Sequence, residues 1–233
     1  MAKSNIIKEL ANSTVDTATA LKRTKVLLTE LGNEDLLLWV NYELAGYPKD
    51  VPLPGYRIIS ESLMGSYWKG SLASHMVFNN VSISTGKMPK EEREILLNVR
   101  FTEGVAGLHK LIELSDNRNS QIIKNIPADW FPIIANYNED LFMQFTSVGV
   151  VVDQHYIQDM LFVIENKLLD VLLLLEKEFG VLDELDIDIE SKQAVELETI
   201  VKKIYLIFYN DNRVSVGDNN RIKDSTIASV VEE

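Results

Sequence analysis

The feature that most constrains the fold is a long apolar stripe in the second half of the chain. Its members recur every three or four residues, the spacing of one helix face: Ile157, Leu161, Ile164, Leu168, Leu172, Leu175 and Phe179. Glu165, Lys167 and Asp170 interrupt the segment, and such charges are costly at the centre of a bilayer. The stripe therefore predicts a long amphipathic helix of a soluble protein, ended by Gly180 as a C-terminal cap.

A second apolar stripe follows an acidic linker that runs from Asp183 to Glu190. Its members keep a near-heptad spacing, which is typical of helices that pack along their length: Ala194, Leu197, Val201, Ile204 and Phe208. The two stripes indicate either a helical hairpin or a seam between subunits.

The last residues, 210–233, separate apolar residues by Gly, Asn and Asp turn formers, as in the rungs of a β-roll or in a hairpin. So short a segment cannot bury a core alone, because ordering each residue costs roughly 1–2 kcal/mol of conformational entropy. We therefore expect a homo-oligomer assembled by the C-terminal helices and this tail. A flexible tail is the alternative.

The first 45 residues predict two antiparallel helices joined by a tight turn. The first helix is expected from Ser4 to Leu31 and the second from Glu34 to Ala45. Gly32 can adopt the left-handed conformation that closes one helix, and the Asn33 side chain can accept from the first free amides of the next. Gly46 then ends the second helix.

Strand signals dominate residues 56–101. Three segments are rich in alternating or β-branched residues: Met76 to Phe78, Val81 to Ser84 and Leu97 to Phe101. Pro54-Gly55 predicts a type II turn that leads into a strand near Tyr56. Short helices are expected over 104–114 and 127–137, and a central strand over 141–152.

These patterns predict an α+β protein. We expect an N-terminal helical hairpin packed on a small, mostly antiparallel sheet, followed by long C-terminal helices and a short β tail. The expected parts are an α+β domain over residues 1–152, a helical hairpin that serves oligomerisation over 153–209, and a β-roll-like or flexible tail over 210–233.

A motif near the N-terminus reads Trp39-Val40-Asn41-Tyr42-Glu43-Leu44-Ala45-Gly46-Tyr47-Pro48, followed by Pro54-Gly55-Tyr56-Arg57. This motif resembles the N-terminal signature of the AbiTii family of bacterial abortive-infection proteins. The resemblance extends loosely over residues 3 to 180. It implies a role in defence against phage. It carries no catalytic residues to this chain, so it leaves the mechanism open.

The same segment supplies the best candidate binding residues, which are Trp39, Glu43, Tyr47, Tyr56 and Arg57. An arginine-carboxylate pair flanked by aromatic rings can line a binding cleft. The alternative is structural: Glu43 and Arg57 fasten the helix to the sheet, and the aromatic residues pack beside them.

Charge and composition bear on the partners. The chain holds 23 Lys and Arg against 35 Asp and Glu, a formal net charge of −12, which disfavours a surface built for phosphate backbones. We interpret two clusters of basic residues as solvated surface: Lys22-Arg23-Lys25, and a loop with Lys87, Lys90 and Arg93. The absence of cysteine and of a secretory signal favours the cytoplasm. We expect no membrane partner and no nucleic acid.

Catalytic and metal motifs give little signal. His75, His109 and His155 lack metal-ligand spacing, and no phosphate-binding glycine loop or nucleophile elbow occurs. The acidic residues around Asp186 and Asp188 could bind a hard cation. They alternate with Leu185, Ile187 and Ile189, and the simpler explanation of this pattern is an extended, charged linker with apolar anchors. We expect no catalytic residues, no metal and no cofactor.

Three functions follow. The first is antiphage defence through protein contacts, with a phage protein or a partner defence protein, in a homo-oligomer. The second is an infection-activated, metal-dependent nuclease that uses the acidic residues. The third is an antitoxin-like subunit that restrains a toxic partner, against which toxicity of this chain expressed alone would argue.

Overall fold

The computed structural model describes residues 3–71, 73–118 and 121–210, and over these residues the protein is α+β. The helices of this part are α1 (Asn5–Ala11), α2 (Thr17–Glu30), α3 (Glu34–Ala45), α4 (Lys90–Leu97), α5 (Val105–Arg118), α6 (Phe131–Tyr137), α7 (Gln154–Phe179) and α8 (Ala194–Tyr209). The strands are β1 (Ile58–Ser60), β2 (Leu63–Ser71), β3 (Ser74–Ile83), β4 (Asn98–Arg100), β5 (Ile122–Asn125) and β6 (Met143–Val152).

Helix α7 lies at the centre of the helical layer. It confirms the prediction of a long amphipathic helix in this part of the chain. Its buried residues, from Ile157 to Leu175, face α1, α2, α5 and α8. The Asp153 side chain accepts from the His155 backbone N–H at 3.0 Å and begins the helix. Gly180, with φ of 92°, ends it as expected. Among the described residues, no helix is long and apolar enough to cross a membrane.

The N-terminal segment corrects one prediction, because the single helix from Ser4 to Leu31 is two helices. Ser13 has φ of 52°, which breaks the helical path, and Asp16 begins α2 by accepting from the Thr19 backbone N–H at 2.9 Å. A short polar side chain that caps a helix start competes with a continuous helix. The break lets α1 turn away from α2 and pack across α7.

Helices α2 and α3 form the predicted hairpin. Gly32 has φ of 61°, and Asn33 Oδ1 accepts from the Leu36 backbone N–H at 3.2 Å. The expected packing partner was wrong, since the hairpin contacts mainly α5, α7 and α8 rather than a sheet. Burial of the apolar α7 stripe requires helices along that face, which explains the difference.

The strands of the described residues form two antiparallel sheets. One pairs β1 with β4, and the other has the strand order β3-β2-β6-β5, so β6 is an inner strand as predicted. The segments 76–78 and 81–84, expected as separate strands, belong mostly to the single strand β3. Asn80 in this strand has φ of 48°, close to a shift of register against β2.

Two local predictions are corrected in the region before and between the strands. Gly55–Arg57 forms a 3₁₀ turn instead of the type II turn, so Gly55 does not use a positive φ. Lys90 and Arg93 lie on α4 rather than on a loop. Glu91 and Glu92 lie in the first turn of this helix, where negative charge suits the positive end of the helix dipole.

Residues on both sides of the expected boundary at 152 and 153 contribute to one hydrophobic core, which runs from Ile6 to Phe208. The Lys167 amine fixes α8 onto α7 by donating to the carbonyl oxygens of Ile207 (2.7 Å) and Phe208 (2.9 Å). The division into domains stays a prediction. The β-roll-like or flexible tail predicted for 210–233 lies outside the described residues beyond Asn210.

Candidate functional site

The end of α3 crosses the loop 101–104 at very short range. The Tyr47 backbone N–H donates to the Thr102 carbonyl at 2.7 Å. Gly46 has φ of 100°, and a Cβ there would stand 2.7 Å from the Thr102 oxygen; a Cβ on Gly104 would overlap the Leu44 carbonyl. Both glycines are therefore needed for the crossing.

A buried ionic cluster lies directly beside this crossing. Glu43 and Arg57 are each 0 % exposed. One oxygen of the Glu43 carboxylate accepts from the hydroxyls of Tyr47 (2.6 Å) and Tyr56, and the other accepts from Arg57 Nη2. Arg57 Nη1 donates to the Glu103 carbonyl at 2.5 Å. The ion pair of Glu43 and Arg57 thus joins helix α3 to the 3₁₀ turn and, through Arg57, to the loop 101–104.

The electrostatics of the cluster keep both tyrosines protonated at neutral pH. Burial, reinforced by the neighbouring Glu43 charge, raises the pKa of Tyr56 well above its ordinary value of 10.0. The pKa of Tyr47 is raised for the same two reasons. Each hydroxyl is therefore a stable donor to Glu43. A carboxylate already held by three donors suits a structural role better than proton transfer.

Trp39 lies one helical turn before Glu43 and faces α8. Its ring stacks on Phe208 with centroids 4.0 Å apart and an interplanar angle of 9°. Trp39 also lines a pocket of about 260 Å³ together with Tyr47, Leu53 and Tyr209. Trp39 Nε1 and Arg57 Nε are buried and have no hydrogen-bond partner among the described residues.

The structure therefore brings four of the five predicted site residues, Glu43, Tyr47, Tyr56 and Arg57, into one cluster. Trp39 lines a pocket together with Tyr47, and its side chain has no hydrogen bond to the cluster among the described residues. The contacts fasten α3 to the 3₁₀ turn and the loop 101–104, whereas the structural alternative expected the helix to be fastened to the sheet. Ligand binding by these five residues stays a prediction.

The acidic linker does not assemble a metal centre in the described part of the chain, where no group of three or more His, Asp or Glu could hold a metal ion. Its carboxylates serve other contacts. Asp183 accepts from the Asn5 backbone N–H at 2.6 Å, and Asp188 accepts from the Ser191 backbone N–H at 3.2 Å. Ile187 is buried as an apolar anchor, as the linker interpretation expects.

A surface that sequence reasoning missed lies at one end of the four-stranded sheet. Four large apolar side chains are each more than half exposed in this region: Met76, Val77, Leu141 and Phe142. We call the pair Met76 and Phe142 the apolar patch, because these two side chains line one surface depression, next to Lys69 and His75. The available signal was the run Met76-Val77-Phe78, since successive strand residues point to opposite faces and cannot all enter one core.

A sequence model of the AbiTii family, an abortive-infection family, matches residues 4–200. The chain belongs to the AbiTii family. The match covers every helix and strand from α1 to α7 and part of α8, so the cluster around Glu43 and the apolar patch both lie inside the AbiTii region. Comparison with curated proteins and with solved structures found no significant match.

Proposed function

We propose that this AbiTii protein acts in antiphage defence by binding a phage protein in the bacterial cytoplasm. The apolar patch is the contact surface, and its exposure is the observation that carries the proposal. Soluble proteins rarely leave several large apolar side chains exposed together unless the surface binds something. Family membership supplies the biological setting.

The strand beside the patch supports a protein ligand. In the sheet order β3-β2-β6-β5, β3 is an edge strand, so among the described residues one side of it has no strand neighbour. An edge strand can pair with an extended segment of another protein, whose side chains then reach the surrounding apolar residues. Met76 and Val77 lie on this strand.

The charges favour a protein over a nucleic acid. The chain carries a net charge of −12, and Lys69 beside the patch is paired with Asp140 at 2.5 Å. In the two clusters of basic residues, Arg23 is paired with Glu9 and Lys90 with Glu94. Phosphate backbones require cations that are not already neutralised by neighbouring carboxylates.

We further propose that the protein works as a homo-oligomer assembled through its C-terminal helices and tail. The exposed apolar residues of α8 support this assembly, because they lie on the side of the helix away from the core.

The contact surface is tested by a double substitution, Met76→Ser with Phe142→Ser, in a host that the wild-type chain protects from phage. We expect the variant to fold normally but to lose protection, since both side chains are exposed and only the binding surface changes. Plaque counts measure protection, and thermal unfolding of the purified variant checks the fold.

Ile95→Ser is the matched control, because Ile95 and Met76 are each 62 % exposed and Ile95 lies on α4. Protection should survive in this control. Full protection by the Met76 and Phe142 double variant would overturn the proposed contact surface.

A further inference from the structure

Helix α8 has apolar residues on two opposite sides. One side is buried against α3 and α7 through Ile200, Ile204 and Phe208. On the other side, Val195 is 72 % exposed and Leu206 is 59 % exposed. These two residues are eleven positions apart, or three helical turns, and so lie on one line along the helix.

The charged residues of α8 are ordered along the same outer side. Glu198 and Lys202 lie between Val195 and Leu206, and their side chains form an exposed ion pair with Lys202 Nζ 2.7 Å from Glu198 Oε1. Over the whole helix, Glu196 and Glu198 precede Lys202 and Lys203, so acid comes before base. The four charges sum to zero, whereas the chain carries −12.

This order is self-complementary when the helix meets a reversed copy of itself. In an antiparallel pair centred between Ile200 and Val201, Val195 lies opposite the partner's Leu206, and Glu198 lies opposite the partner's basic pair. A parallel pair would instead place like charges opposite each other. A two-fold axis repeats every contact twice, as in the commonest class of homodimer.

We propose that two copies of this protein associate through an antiparallel α8–α8 seam on this outer side. The proposal rests on the homo-oligomer proposed above and names its interface. A neutral strip is the part of a strongly acidic surface at which two identical chains repel each other least.

The exposed residues next to the outer line widen the seam. The rings of Tyr205 and Tyr209 contact each other with centroids 4.5 Å apart, and the Tyr209 hydroxyl donates to the Asp35 carbonyl at 2.8 Å. Leu38, one turn beyond Asp35 on α3, is also exposed. A helix of 16 residues is about 24 Å long. Stable interfaces bury about 1,200–2,000 Å² in total. One exposed side of a helix of this length offers less area than that, so the interface also needs the exposed residues of α3.

Cysteine cross-linking tests the direction of the seam, and the chain has no cysteine of its own. Val195→Cys and Leu206→Cys are made as separate full-length variants, one carrying a mass tag, and are mixed under mild oxidation. The antiparallel seam predicts a disulfide between the two variants. Each variant alone should form little disulfide. In the antiparallel pair the same residue of the two copies lies about 16 Å apart along the helix axis, which is too far for a disulfide.

Charge reversal tests the seam in solution by sedimentation. Glu198→Lys and Lys202→Glu should each weaken the dimer about tenfold, because each places like charges opposite each other twice. The double variant should recover most of the affinity. Lys22→Glu on α2 is the control, since it makes the same change in net charge as Lys202→Glu on another helix and should leave the dimer intact.

The outcomes separate the two proposals. A disulfide between unlike variants with rescue by the double reversal supports the seam. An oligomer that gives no such disulfide and ignores charge reversal overturns the seam, while the homo-oligomer stands. A chain of 26.4 kDa that stays monomeric at all concentrations overturns both. Protection measured with the apolar patch variants is independent of all three results.

Discussion

At the scale of single residues, the hydrogen bonds of the candidate site converge on Glu43. Its carboxylate is surrounded by three donors from two separate segments, and no part of it is exposed. A buried charge of this kind is tolerable only while its partner is present, because neither ion can recover its hydration inside the protein. The cluster therefore makes the position of Arg57 dependent on Glu43.

Removal of the Glu43 charge should destabilise the fold strongly. Glu43→Gln leaves the Arg57 guanidinium buried without a counter-charge, and we expect the free energy of unfolding to fall by about 3–5 kcal/mol. Urea denaturation followed by circular dichroism measures this change.

The exposed ion pair between Lys87 and Glu139 offers the comparison. Glu139→Gln should lower the free energy of unfolding by no more than about 1 kcal/mol, since water solvates both ions. Equal, small effects at Glu43 and Glu139 would contradict the fastening role of the cluster.

At the scale of elements, the first residues of the chain are held onto the end of α7. The Glu176 carboxylate accepts from Lys3 Nζ at 2.5 Å, from the Ser4 backbone N–H at 2.6 Å and from Ser4 Oγ at 2.7 Å. Ser4 Oγ in turn accepts from the Leu182 backbone N–H at 2.9 Å. Burial alone would raise the pKa of Glu176, but these hydrogen bonds outweigh it and lower the pKa to about 2.

The stability of the protein should therefore fall as the pH is lowered from 4.5 towards 2. In that window the unfolded chain takes up a proton at Glu176, whose ordinary pKa is 4.5, whereas the folded protein resists it. Above pH 4.5 the stabilisation by this group is fully present. Urea denaturation at a series of pH values measures the slope.

Glu176→Gln removes the titrating group and should flatten the pH dependence between 4.5 and 2. Lys3→Met should flatten it partly, because one of the three donors is lost. An identical slope for the wild-type protein and Glu176→Gln would show that other carboxyl groups dominate the acid response.

At the scale of the whole molecule, the acidic linker connects the two longest helices of the described part of the chain, where no group of three or more His, Asp or Glu could hold a metal ion. Its described carboxylates bond to α1 and to the turn before α8, which fixes the path of the chain. A metal-dependent nuclease would instead need several carboxylates directed at one point. The contacts of Asp183 and Asp188 are of the kind that the linker interpretation expects.

Substitution of the linker carboxylates should leave phage protection intact. Asp186→Asn with Asp188→Asn removes two charges but keeps an acceptor at position 188 for the Ser191 N–H. Plaque counts on hosts that express the double variant and the wild type measure the effect. Loss of protection at unchanged thermal stability would restore the nuclease hypothesis.

Local signals in the sequence predicted much of the secondary structure. The α7 stripe, the Gly32-Asn33 turn and the end of α3 at Gly46 were all predictable, because helix periodicity and capping depend on residues within a few positions of one another. The break at Ser13 was missed because the apolar spacing was interpreted as continuous, although Asp16 caps the start of α2 and is a local signal for a second helix.

The tertiary structure alone decided which predicted residues meet. The motif suggested that Glu43 and Arg57 belong together, but the crossing of Gly46 and Gly104 brings in the loop 101–104, whose Glu103 carbonyl accepts from Arg57. The stripe predicted on α8 included Ala194, Leu197 and Val201, but packing against α3 and α7 buries Ile200 together with Ile204 and Phe208 and leaves Val195 and Leu206 exposed. Periodicity identifies a helix face, whereas its partner depends on contacts between distant parts of the chain.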